Sequence, residues 1–109
     1  MSQFDDFLDI VKDELPDLGK ELLGDLKDQG IHDAKGFLDD TKNDLKRWTQ
    51  LLAKGQLNKD EFNFLVRSQK DLFDLHSLKQ AGLALITAQK FRDGVVDLVA
   101  SAASKTFLA

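Results

Sequence analysis

The apolar residues in the first half of the chain recur every eleven positions. The main row is Phe4, Leu15, Leu26, Phe37 and Trp48, and a second row of Leu23, Ala34 and Leu45 keeps the same step. An aspartate stands two positions after each member of the main row, except after Trp48, where Gln50 takes its place. Eleven residues complete three turns at about 3.67 residues per turn, so each row stays on one face of an α-helix. The pattern predicts amphipathic helices.

Two interruptions are expected in this helical half. Pro16 lacks a backbone N–H, so we expect it to end or kink a short N-terminal helix in residues 1–15, which Ser2 caps. An acidic arm then spans residues 17–54. Its glycines weaken it, and a break is expected at residues 29–33, where Asp33 would cap the continuation.

A turn is predicted at residues 55–58. Gly55 suits the left-handed position that ends a helix, and Asn58 followed by Glu61 matches a capping box at the start of the next one. Leu57 and Phe62 occupy the two positions of a hydrophobic staple around that cap. So short a connection makes the two helices antiparallel neighbours.

A second arm is predicted over residues 59–104. Unbroken, it would be about 69 Å long, too long for a compact domain of this size. The chain either bends, at Gly82 or Gly94, or forms an extended hairpin that needs partners. Residues 59–80 also carry apolar side chains on more than one helical face, and a single antiparallel arm covers only one face.

These elements predict an all-α fold in a single domain, residues 1–109. It is an antiparallel hairpin of long helices with a short N-terminal helix, and it closes into a three- or four-helix bundle or into an oligomer. The side chains expected to contact another subunit or a partner are Phe37, Trp48, Phe64, Leu75 and Leu78.

Composition narrows the class of protein. With 42% hydrophobic and 31% charged residues, the chain is too apolar for a disordered segment and too charged for a membrane-embedded one. It has no cysteine, which excludes disulfides and thiolate chemistry. Its N-terminus is acidic, whereas a signal peptide begins with basic residues. We expect a soluble cytoplasmic protein.

The two halves differ in charge. Residues 1–45 hold thirteen acidic residues against five lysines, a net charge of −8, whereas residues 46–109 hold ten basic residues against six acidic ones, a net charge of +4. We expect the halves to attract each other.

Candidate chemistry is sparse. The turn matches half of an EF-hand loop, but the first three ligand positions would be Gln50, Leu52 and Lys54, so no calcium is expected. Asp28 and His32 make only half of a metal site, on a helical face that lies opposite the apolar row. No nucleophile elbow, phosphate-binding glycine loop or basic stripe occurs. We therefore predict no catalytic residue, cofactor, metal or nucleic acid.

The eleven-residue period resembles that of apolipoproteins, synucleins and some desiccation proteins. The resemblance covers about Phe4 to Leu52, is one of period alone, and implies helices that lie on lipid surfaces. Those proteins place lysines at the boundary between the polar and apolar faces, whereas this half carries −8 and is repelled by anionic lipid. Four charged residues also interrupt the apolar stretch 83–102, which argues against a membrane span.

The sequence favours a non-enzymatic helical assembly or adaptor protein that self-associates or docks on a protein partner. The alternative is a peripheral protein whose amphipathic helices bind a lipid surface. Apolar side chains on two faces of residues 62–78 distinguish the first hypothesis, and the glycine-interrupted eleven-residue stripe distinguishes the second.

Overall fold

A computed structural model of the chain describes residues 2–108, and every regular element in this range is a helix. The elements are α1 (Gln3–Leu23), a 3₁₀ turn (Gly24–Leu26), α2 (Lys27–Ala53), α3 (Lys59–Ser68), a second 3₁₀ turn (Lys70–Leu72), α4 (His76–Gln80) and α5 (Leu85–Phe107). The predicted all-α class is confirmed.

Helix α1 starts at the Ser2 cap, whose side chain accepts a hydrogen bond from the Asp5 backbone N–H at 3.1 Å. It does not end at Pro16, so the predicted helix end at this residue was wrong. The buried stripe continues across the proline, with Leu15 before it and Leu23 after it. Each such leucine contributes about 1.5–3 kcal/mol on burial, which together offsets the roughly 3 kcal/mol cost of an internal proline. Pro16 itself lies on the exposed face.

The first half of the chain turns at Gly24–Leu26. Gly24 has φ +55°, a left-handed value that favours glycine. A straight helix over residues 3–53 would be about 76 Å long, whereas the described chain measures 43 Å along its longest axis. The two helices therefore cannot be collinear.

The break expected at residues 29–33 is absent, since α2 is continuous from Lys27 to Ala53. Gly30 serves close packing instead. A Cβ atom at this position would overlap the Leu23 side chain and lie 3.1 Å from Phe91 Cζ. The glycine lets α2 approach both α1 and α5 at one point.

Helix α2 ends in a Schellman motif. Gly55 has φ +73°, and its N–H donates to the Leu52 carbonyl at 3.2 Å. The next N–H, of Gln56, donates to the Leu51 carbonyl at 2.9 Å. Both bonds satisfy carbonyls that the helix leaves free at its end.

Helix α3 starts with a reciprocal capping box. Asn58 Oδ1 accepts from the Glu61 N–H at 2.8 Å, and Glu61 Oε1 accepts from the Asn58 N–H at 3.0 Å. Phe62 is buried, and Leu57 is half-buried against the core. Together with Gly55, these residues set the direction in which the chain leaves α2.

The second arm is not one helix. The chain leaves the helical path after Ser68 and becomes extended at Phe73. It turns again at Gly82, where φ is +84°, but stays helical through Gly94. One straight helix would hold the apolar side chains of this segment on different faces. The breaks allow side chains from these faces to reach the same core. No arm of about 69 Å forms, because the longest dimension is 43 Å.

Helices α1 and α5 lie antiparallel at the centre of the fold. The rings of Phe7 and Phe107 are 6.0 Å apart near one end, and Leu18 Cδ1 would be 3.2 Å from a Cβ atom on Gly94 near the other. Helix α1 also contacts α2 along its length. The buried side chains of all five α-helices form one hydrophobic cluster.

Candidate interaction surface

Four of the five predicted interaction residues lie in the core of their own chain. Phe37, Trp48, Leu75 and Leu78 are between 0% and 7% exposed. Phe37 stacks on Phe73 with 4.9 Å between ring centroids, which explains its burial without a second subunit. These four side chains offer no docking surface in the folded chain. Phe64 is 72% exposed and remains available.

Phe64 is exposed because of its position on α3. It lies two residues after Phe62, and two residues turn an α-helix by about 200°. Phe62 faces the core, so Phe64 must face the opposite way. Of the eight phenylalanines in the chain, the other seven are buried or half-buried. Phe64 is therefore the one phenylalanine ring that the fold places in solvent.

Phe64 lines a shallow apolar groove, which we call the α3 groove. The groove has a volume of about 390 Å³ and is lined by Leu57, Asp60, Glu61, Phe64 and Leu65. Its charged residues are both acidic. The Glu61 carboxylate is held by the Asn58 N–H in the capping box, whereas Asp60 is exposed.

A second surface lies where α4 and the start of α5 meet the second 3₁₀ turn, and we call it the basic cleft. It has a volume of about 570 Å³ and is lined by Lys70, Asp71, Leu72, Phe73, Asp74, Leu75, Lys79, Leu85, Gln89 and Arg92. Three cations and two carboxylates give it a net charge of +1. Leu72 and Leu85 are 53% and 54% exposed, so its lining is partly apolar.

Sequence reasoning missed the apolar residues of the basic cleft. On one continuous helix Leu72 would share a face with Phe62 and Phe73, but α3 ends at Ser68. Leu85 and Ile86 open α5, whose first buried residue is Ala88. The available signal was a pair of adjacent branched apolar residues placed directly after the Gly82 turn.

A third, polar cleft lies between α2 and α4. It has a volume of about 220 Å³ and is lined by His32, Asp33, Gly36, Phe37, Asp40, Asp74, His76 and Ser77. Asp33 is 7% exposed, and its carboxylate accepts hydrogen bonds from the backbone N–H groups of Ser77 at 3.2 Å and Leu78 at 3.1 Å. It thus caps α4 across the fold, rather than its own helix.

The polar cleft does not assemble a metal site. Within residues 2–108, no group of three or more histidine or acidic side chains is placed to hold a metal ion. Asp33 is engaged with backbone amides, and Asp74 Oδ1 accepts from the His76 N–H at 2.9 Å. The acidic side chains around the two histidines therefore serve the local fold of α4.

Between Ser2 and Leu108, no helix has the length and apolar character needed to cross a bilayer. Helix α5 carries Lys90, Arg92, Asp93 and Asp97 along its length. Comparison of the chain with protein-family models, with curated proteins and with solved structures found no match.

Proposed function

We propose that this chain is a non-enzymatic helical assembly or adaptor protein, which acts in the cytoplasm through self-association or docking on a protein partner. The observation that carries the proposal is the exposure of Phe64, Leu72 and Leu85, between 53% and 72%, in the lining of two concave surfaces. Ile86, beside Leu85 in the chain, is 66% exposed. Contiguous exposed apolar surface with a polar rim is typical of interaction sites.

The energetics favour burial of these side chains by a partner. An aromatic side chain buries about 150–250 Å² in an interface and, on full burial, contributes about 1.5–3 kcal/mol. Phe64 makes no such contribution in the isolated chain because it faces solvent. A few side chains of this kind dominate the affinity of most interfaces.

A peripheral lipid-binding function is the alternative. The observation that favours it is the pair of exposed residues Leu85 and Ile86 at the start of α5, of which Leu85 lines the same cleft as the cations Lys79 and Arg92. Apolar side chains beside cations bind anionic lipid surfaces. The eleven-residue stripe argues against this function, because Phe37 and Trp48 would have to leave the core to meet lipid.

Light scattering of the wild-type chain tests the assembly proposal. The mass is measured between about 1 μM and 1 mM, a range that covers association free energies of about −8 to −4 kcal/mol. We expect the mass to rise with concentration. A variant with Leu108→Ser serves as the control, since Leu108 is 48% exposed and lies outside both surfaces. A monomer at every concentration argues against self-association and leaves docking on a different protein.

Trp48 fluorescence tests the lipid alternative. Trp48 is 7% exposed, so an aqueous quencher should have little access to it in the folded chain. We expect neutral and anionic vesicles to leave its emission and the helix content unchanged. A blue shift with vesicles, together with a rise in helix content, would favour lipid binding.

A further inference from the structure

The α3 groove and the basic cleft are complementary, and we propose that the groove of one copy of this chain binds the cleft of a second copy. In this contact Phe64 inserts between Leu72 and Leu85 of the neighbouring copy. The inference rests on the proposed association function and adds the identity of the partner and the two surfaces that meet.

The shapes of the two surfaces support the contact. The groove presents one projecting ring, which is 72% exposed. The cleft is about 570 Å³ in volume, within the range of sites that enclose small ligands, and Leu72 and Leu85 are each about half exposed. A ring seated there covers apolar surface on both partners.

The charges of the two surfaces are opposite in sign. The groove carries Asp60 and Glu61 and no cation. The cleft carries three cations and two carboxylates: Lys70, Lys79, Arg92, Asp71 and Asp74. Of these, Arg92 Nε is 3.4 Å from Asp93 Oδ1, and the Asp74 carboxylate accepts from the His76 N–H. Both lysines are exposed and available to meet the groove's carboxylates.

The alternative pairing of two grooves is worse. Two grooves in contact would bring four carboxylates together without a cation, and like charges at an interface disfavour that pairing. The contact of unlike surfaces avoids this repulsion. Each copy carries one groove and one cleft, and a contact in which one groove meets one cleft is heterologous and links copies head to tail.

The test uses two variants that each damage one surface, Phe64→Glu in the groove and Leu85→Glu in the cleft. Both side chains are exposed, so circular dichroism and urea unfolding should match the wild type. Each substitution places a carboxylate against the partner surface and should weaken association about tenfold or more. Leu108→Glu is the matched control and should associate like the wild type.

The decisive measurement is light scattering of the two variants mixed. The Leu85→Glu chain keeps an intact groove and the Phe64→Glu chain keeps an intact cleft, so the mixture should form a one-to-one dimer and grow no further. The wild type should instead exceed the mass of a dimer as concentration rises. If either variant loses its helix content, Phe64→Ser and Leu85→Ser replace it.

Charge reversal gives a second readout. Asp60→Lys and Lys79→Glu should each weaken association about two- to fivefold, and the double variant should recover it. Lys42→Glu, on the exposed face of α2, is the control.

The outcomes distinguish failure of the groove-to-cleft contact from failure of the proposed self-association. Two results would overturn the head-to-tail contact but leave self-association standing. In one, Phe64→Glu abolishes association and mixing the two variants does not restore it. In the other, the wild type stops at a dimer. A wild type that stays monomeric overturns both the contact and self-association.

Discussion

Residues 2–54 and residues 59–108 differ in how many of their large apolar side chains are exposed. In the first region, no large apolar side chain is exposed. In the second, Phe64, Leu72, Leu85, Ile86 and Leu108 are each about half exposed or more. Both regions thus supply the core, but only the second leaves large apolar side chains exposed to solvent.

Helix length explains why Phe64 and Leu72 are exposed, whereas the exposed apolar residues of the 23-residue helix α5 lie at its first turn and its C-cap. Helices α1 and α2 are 21 and 27 residues long, so their apolar positions return to the same face over many turns. Helices α3 and α4 are 10 and 5 residues long and end before such a face is established. Short helices joined by turns bury Phe62, Phe73 and Leu78 but leave apolar residues on their outer sides.

The largest predicted difference in the free energy of unfolding is between alanine variants of two neighbouring phenylalanines, Phe62 and Phe64. Phe62→Ala should lower the free energy of unfolding by about 3–5 kcal/mol, because Phe62 is 1% exposed and the change leaves a cavity. Phe64→Ala should change it by less than about 0.5 kcal/mol. Urea denaturation at a concentration where both are monomers measures the two values, and equal losses would contradict the assignment of inner and outer faces on α3.

The next-largest loss of stability is expected at Asp33, whose carboxylate joins the two regions. Asp33→Ala leaves the buried N–H groups of Ser77 and Leu78 without their acceptor and should cost about 1–3 kcal/mol. Asp40→Ala, seven residues on along the same helix and exposed, is the control and should cost less than about 0.5 kcal/mol. Hydrogen exchange should show faster opening of the Ser77 and Leu78 amides in the first variant alone. Unchanged exchange would contradict the capping role.

Two glycine substitutions should act in opposite directions. Gly55→Ala forces a side chain into φ +73° and should destabilise the fold by about 1–2 kcal/mol. Gly36→Ala, inside α2 with open space around it, should stabilise the fold by about 0.5–1 kcal/mol. Thermal unfolding of the two variants beside the wild type checks the signs. A stable Gly55→Ala variant would show that the turn does not need a left-handed residue.

The smallest effect is expected at the ion pair between α1 and α5. Lys105 Nζ lies 3.8 Å from Glu14 Oε1, and the side chains are 61% and 44% exposed. Glu14→Gln should cost no more than about 0.5 kcal/mol at low salt, because solvent screens the pair, and nothing at high salt. Denaturation at two ionic strengths measures it. A larger, salt-dependent loss would mean that attraction between the acidic and basic halves contributes more than this one contact.

Local signals in the sequence were sufficient for several elements. Ser2, Gly55, Asn58 and Glu61 act through hydrogen bonds and dihedral angles within a few residues, and the ends of the helices lie where these residues indicated. The eleven-residue period placed Phe37 and Trp48 on one apolar face, and both are buried, but within their own chain rather than against a second subunit. Such features depend on backbone sterics and helical spacing, which the sequence carries directly.

Features that depend on distant contacts were misjudged. Pro16 and Gly30 looked like breaks, but burial of the stripe around Pro16 and the close approach of α5 at Gly30 keep the helices continuous. Asp33 was expected to cap its own helix, whereas it caps α4, 44 residues later. The sequence could not say which of its apolar residues would remain for a partner. By itself it determined the all-helical class and the caps at Ser2, Gly55 and Asn58. The tertiary structure decided where the long helices continue or turn and that Phe64 faces solvent, because both depend on which other elements pack against each face.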